Sequence, residues 1–160
     1  MLVNDIFGGD RYVQRHKPLW EHDLEVGFYY DFVKAGVDRI VKSLSRDLRD
    51  HPVTALGVTP GWLRSEQMLD NVGVTEERWR DAVETQPGFA ISESPSYLGR
   101  GVAALAAEPD LTPYAGRVLT SYDLAVDYDL TDIDGSRPDA WGYIDRYGIE
   151  QDGSGVEEFR

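Results

Sequence analysis

From Val26 to Asp50 the apolar residues Phe32, Val33, Val37, Ile40, Val41, Leu44 and Leu48 recur at intervals of three and four. That spacing gathers them on one side of an α-helix, and a strand, with its period of two, would scatter the same set over both faces. The chain must therefore fit a long helix with an apolar flank, and such a helix needs a layer to pack against. His51-Pro52 stops it, because proline lacks an N–H and pushes the residue before it out of helical geometry.

Around this helix the sequence alternates strands and helices. LVNDI, Leu2–Ile6, reads as a short strand, ended by GGD, and the polar, aperiodic stretch from Asp10 to Glu25 reads as a lid or binding loop. After the helix, VTALGV is a strand that breaks at Thr59-Pro60-Gly61. In open parallel sheets ligands sit just outside the carboxyl ends of strands, which makes this break a candidate site. Short helices are expected over Ser65–Asp70 and Thr75–Val83, the second with Thr75 as N-cap, and a longer one from Ser94-Pro95 to Ala107. Gly116 precedes a third strand, RVLTSY. Helices between strands favour parallel pairing and right-handed crossovers, so the expected fold is an α/β layer of about three parallel strands. Residues 1–122 form its body, and the acidic, aromatic residues 123–160 form a tail whose DGSGVEEFR end is expected to fray.

Composition narrows the function. A length of 160 residues corresponds to one domain, and 41% hydrophobic with 28% charged residues describes a soluble globular chain with no run long enough to span a bilayer. The net charge of −13 repels phosphate backbones and anionic lipid, so neither nucleic acid nor membrane is an expected partner. The absence of cysteine removes disulfides and thiolate metal sites, and MLVNDIFGGD lacks a signal peptide's pattern, so the cytoplasm is the expected location. His16, His22 and His51 lack a metal-binding spacing, and DLTDIDGSRPDAW puts Leu130 and Trp141 where a calcium loop needs acids. The carboxylates of DYDLTDID read as a solvated face. Trp20 and Trp62 fit a substrate pocket or ordinary aromatic packing equally well.

Within YYDFVKAG, Tyr30 and Lys34 stand four positions apart and so share a helix face. An ammonium beside a phenol favours the phenolate, which suits proton exchange with an alcohol or ketone. An amphipathic rim is the plain alternative, since Tyr-x-x-x-Lys alone is common by chance.

A strand, a loop, Tyr30-x-x-x-Lys34 on a long helix and then VTALGVTPGWLRSEQM resemble the carboxyl-terminal half of the short-chain dehydrogenase/reductase family. The resemblance runs from Leu2 to about Tyr122, and its most specific parts are YDFVK, SLSRDLRDHPVTALGVTPG and the hydroxyl of Ser65 four positions after Gly61. It implies a partial Rossmann-like layer and NAD(P)-dependent oxidation or reduction of a small alcohol or carbonyl. It also implies Tyr30 as general acid/base, Lys34 as the ligand of the nicotinamide ribose that lowers the Tyr30 pKa, and Pro60, Gly61, Leu63 and Ser65 as the walls of the nicotinamide pocket.

The family's amino-terminal half carries a glycine-rich turn for the pyrophosphate. Here the Gly-x-Gly matches are Gly99-Arg-Gly101, inside a predicted helix, and Gly153-Ser-Gly155, in the tail, and neither joins a strand to a helix. The dinucleotide-binding first half is thus expected to be missing, leaving a truncated chain that is inactive alone and binds NAD or NADP weakly or not at all. The alternative is a non-enzymatic interaction module derived from such an enzyme. No Ser or Thr precedes Ser43, and Phe7 stands near the place of the family's carbonyl-polarising hydroxyl, leaving Tyr12 or another loop residue as a substitute. An edge at Leu2–Ile6 and an uncovered flank of the long helix would make those two surfaces the contacts for self-association.

Overall fold

The computed structural model describes residues 29–148 and 152–160, with Tyr29–Asp31 described in their backbone alone. The expected strand Leu2–Ile6, and the loop residues Phe7, Tyr12, His16, Trp20 and His22, lie outside the described residues. The chain divides into two compact units, Met1–Gly57 with Asp110–Val118, and Val58–Pro109 with Leu119–Arg160.

The first unit is organised by α1, Tyr29–Asp47. Its apolar set splits: Val41 is buried and Val33, Val37 and Leu48 are half-buried, whereas Phe32, Ile40 and Leu44 are exposed. The helix yields to a turn over residues 48–52, slightly before the expected Asp50. Backbone bonds from Gly57 N–H to the Arg117 carbonyl (2.9 Å) and from Gly116 N–H to the Ala55 carbonyl (2.8 Å) tie the two segments of this unit together. Gly57 allows the approach, since a Cβ there would sit 3.1 Å from Val118 Cγ2 and 3.3 Å from Val41 Cγ2.

β1 (Gly57–Thr59) pairs with β4 (Val118–Thr120), and β2 (Trp62–Leu63) pairs in parallel with β3 (Ser92–Glu93). The fold is α/β, as the alternation implies, but the described residues form two small two-stranded sheets where one layer of three strands was expected. Pro60, which has no N–H to give to a ladder, falls in the chain between β1 and β2. The third expected strand, 117–122, stops at Thr120 because a capping box starts a helix there. Thr120 Oγ1 accepts the Asp123 N–H (2.9 Å), and the Asp123 carboxylate accepts the Thr120 N–H (2.8 Å).

In the second unit, α2 (Glu66–Val72) starts at Ser65, whose hydroxyl accepts the Met68 N–H, and ends at Gly73 in the left-handed region. The next segment is helical as expected but takes the tighter 3-10 form over Glu76–Glu84, broken at Arg78 (φ −120°, ψ 18°), and a second 3-10 helix covers Pro87–Ile91. Leu69, Trp79, Ala82 and Phe89 form one core, with Trp79 and Phe89 edge to face at 6.2 Å. The helix read from Ser94-Pro95 is α3, Pro95–Ala107. Gly101 lies inside it, where a Cβ would stand 2.8 Å from Leu124 Cδ1 of α4 (Ser121–Asp127), so this glycine serves helix packing.

The structure also redraws the tail. The boundary expected after residue 122 falls inside α4, and residues 119–160 cluster with 58–109. Val156, placed in the segment expected to fray, is buried with Ile91, Ala140 and Tyr143. Phe159 meets Tyr143 of α5 (Ala140–Tyr147) edge-on at 5.7 Å, and its carbonyl accepts the Asp139 N–H at 2.8 Å. The aromatic residues of this acidic segment, Tyr143 and Phe159 among them, pack into the second core. No described helix is long and apolar enough to cross a membrane.

Candidate active site

Tyr30 and Lys34 both lie on α1, one turn apart, and Lys34 is half-buried. They belong to the first unit, while Pro60, Gly61, Leu63 and Ser65 belong to the second.

The strip from Pro60 to Ser65 is held along its length. The Trp141 indole N–H donates to the Pro60 carbonyl (2.9 Å), and the Gly61 N–H donates to Glu93 Oε2 (3.0 Å). Trp62 and Leu63 pair with Ser92 and Glu93, and the Arg64 N–H donates to the Glu93 carbonyl (2.8 Å). Ser65 caps α2, which uses one lone pair of its hydroxyl and leaves the proton available for another acceptor. Trp62 stacks edge-on against Tyr143 at 6.1 Å, so its indole serves the aromatic core.

Gly61 is required by space. A Cβ would lie 2.8 Å from Ala140 Cβ and 3.0 Å from Glu93 Oε2, and the first neighbour is a short side chain that cannot swing away. Gly61→Ala is expected to lower stability by about 1–3 kcal/mol, as overpacking does, and to weaken the Gly61–Glu93 bond. Thermal unfolding of the variant checks this, and an unchanged midpoint would remove the packing explanation.

Behind the strip lies a buried polar cluster that the sequence reading missed. Arg64 is 2% exposed, with Nη1 on the Ser92 carbonyl (2.6 Å), Nε on the Glu76 carboxylate (3.1 Å), Nη2 beside Asp132 Oδ2 (3.5 Å), and its guanidinium over the Trp79 ring at 4.3 Å. Asp132 accepts the Ser94 N–H (2.8 Å), the Ser94 hydroxyl and the Ile133 N–H (2.7 Å). The solvated face expected for DYDLTDID is therefore wrong at Asp132, which is 2% exposed because it has a buried cation and these donors as partners. Asp134 likewise accepts from Arg80 (2.6 Å) and from the Ser136 hydroxyl (2.5 Å), and those donors hold its carboxyl below the ordinary range against the opposing effect of burial.

Glu93 is the other buried acid, 1% exposed. Its Oε2 accepts both the Gly61 N–H (3.0 Å) and the Ser121 hydroxyl (2.6 Å), while its Oε1 is buried without a hydrogen-bond partner. Burial pushes its carboxyl up to about 7, against the lowering effect of Ser121 and Gly61. The Tyr97 hydroxyl is also buried without a partner, and burial together with the nearby Glu93 raises it above the ordinary phenol range. Sequence spacing offers no signal for this cluster, whose side-chain partners across the fold are 12 to 68 positions apart.

No family model matches the chain. Two curated proteins match it over 108 residues, both named dehydrogenase/reductase SDR family member 1: that of Mus musculus at 36% identity and that of Homo sapiens at 33%. Over this region the chain is related to the short-chain dehydrogenase/reductase family. Each match covers 66% of this chain and 34% of the relative, so the chain spans about a third of the length of the short-chain dehydrogenase/reductase proteins it matches.

Proposed function

We propose that this chain carries the proton-transfer helix and the nicotinamide-side wall of an NAD(P)-dependent oxidoreductase acting on a small alcohol or carbonyl compound. The observation that carries the reading is the 33–36% identity to proteins named dehydrogenase/reductase, in a chain that places Tyr30 and Lys34 one turn apart on α1. Nicotinamide, when bound, supplies or accepts the hydride. Tyr30 gives a proton to the carbonyl oxygen in reduction and takes it from the alcohol in oxidation. The Lys34 ammonium favours the phenolate of Tyr30 and binds the nicotinamide ribose. Pro60, Gly61, Leu63 and Ser65 shape the nicotinamide side. The fit to such a group rests on the Ser65 hydroxyl, which keeps its proton while capping α2, and on a strip whose backbone is fixed at Pro60, Gly61 and Arg64.

Because the chain spans about a third of its relatives' length, the assay joins it to a glycine-rich nucleotide-binding half and follows NADH or NADPH oxidation over a panel of aldehydes and ketones. Tyr30→Phe is expected to lower kcat by roughly a hundredfold with nucleotide affinity nearly unchanged, while Lys34→Ala damages both. A Tyr30→Phe protein that keeps most of the rate would end the proton-transfer assignment.

A further inference from the structure

Glu93 grips the Pro60–Ser65 strip at two points. Its side chain takes the Gly61 N–H at 3.0 Å and its backbone carbonyl takes the Arg64 N–H at 2.8 Å. The side-chain bond depends on charge, since an ionised carboxylate accepts roughly twice as strongly as a neutral acid. We propose that Glu93 is a positioning residue, whose carboxylate charge sets how firmly the Pro60–Gly61 turn is held where it faces the nicotinamide. This rests on the reading of that strip as the nicotinamide wall.

The geometry says where a proton goes. Oε2 already accepts two hydrogen bonds, from Gly61 and Ser121, so the proton sits on the unpartnered Oε1. Protonation therefore leaves both contacts in place but converts them from charge-assisted to neutral bonds. The charged and titratable groups that face Glu93 come from three segments. Arg64, beyond β2, favours the ionised form, Asp132, after α4, opposes it, and Tyr97 of α3 responds to its charge; Gly61 and Ser121 stabilise that charge as donors. Burial outweighs the stabilising groups and brings the carboxyl to about 7, so the grip on Gly61 changes around neutral pH.

The test is the amide spectrum of the isotope-labelled 160-residue chain through a pH range centred on about 7. The Gly61 amide is expected to shift with a midpoint near 7 in the wild type and to stay still in Glu93→Gln. Should Glu93→Gln not fold, Ser121→Ala serves instead, because loss of that donor must raise the Gly61 midpoint. Nicotinamide mononucleotide, added at each pH, is expected to perturb residues 60–65 and to bind roughly threefold more weakly below the midpoint, the step between a charge-assisted and a neutral bond. A Gly61 amide that is unmoved in the wild type, or that moves alike in wild type and Glu93→Gln, overturns the role of Glu93 even if the nucleotide binds. A Gly61 amide that titrates through Glu93 while the mononucleotide perturbs nothing at 60–65 overturns the nicotinamide reading, and with it the role of Glu93 towards a cofactor.

Discussion

Asp132→Ala is expected to lower the unfolding free energy of the second unit by about 3–5 kcal/mol, the usual result of removing one partner from a buried ion pair. Arg64 and Asp132 are both 1% exposed in their side chains, and at 3.5 Å their direct contact is weak for a hydrogen bond. The large effect comes from what Asp132 leaves behind. The Ser94 N–H, the Ser94 hydroxyl and the Ile133 N–H would all lose their acceptor. Each buried donor without a partner costs about 1–3 kcal/mol, although some will reach water after relaxation. Arg64 retains Glu76, the Ser92 carbonyl and the Trp79 ring, which keeps the loss from being larger. Asp81→Ala is the comparison, because Asp81 also pairs with an arginine, Arg78 at 2.5 Å, but with both side chains more than half exposed. That change is expected to cost under about 1 kcal/mol. Urea unfolding followed by tryptophan fluorescence reads both, since Trp62, Trp79 and Trp141 all lie in the second unit. Equal losses in the two variants would mean that Asp132 is not the centre of a buried network.

What the sequence revealed and what it hid follow from the range of each interaction. α1 was legible because Val33, Val37 and Val41 repeat at four-residue intervals, and α3 because Ser94-Pro95 is a helix start written in adjacent residues. The sequence places Ser65 inside the expected helix Ser65–Asp70, whereas the structure makes it the cap, its hydroxyl accepting the Met68 N–H. Helix type over Glu76–Glu84 was not, since α and 3-10 turns share start signals and differ only in how the last contacts tighten. The strand at 117–122 was overextended because Thr120 and Ser121 suit strands as well as caps, and only the reciprocal bond with Asp123 decides for the cap. Arg64, Glu93 and Asp132 were invisible as a group, because a charged residue looks solvated until its distant partner is placed beside it. The Pro60–Ser65 strip stands out by resemblance to a family, whereas the bonds that hold it, from Glu93 and Trp141, are visible only in the structure.

Glu93→Gln is expected to remove a pH dependence of stability of about 3 kcal/mol, with a definite sign. The wild-type carboxyl titrates near 7 in the folded chain against 4.5 for an unperturbed glutamate. Below pH 4.5 the group is protonated in both states and burial of its charge costs nothing. Between 4.5 and 7 the folded state holds the proton while the unfolded state releases it, so stability falls as pH rises through that window. Above 7 the buried carboxylate is charged and the loss is complete, at about 1.4 kcal/mol for each unit of difference. Glutamine keeps an acceptor for Gly61 and Ser121, and its amide nitrogen takes the place of the protonated Oε1, so it mimics the neutral acid. Urea midpoints across this range should therefore converge for wild type and Glu93→Gln near pH 4.5 and separate above 7, with the variant the more stable. Curves that stay parallel would mean that Glu93 does not titrate in the window. The same charge that costs stability above 7 is the one that tightens the bond to the Gly61 N–H, so the loss of stability must level off at the pH where the Gly61 amide has its midpoint. A stability curve that levels off where the Gly61 amide titrates would separate a titrating Glu93 from any general softening of the chain at high pH, which would move neighbouring amides together and spare neither variant.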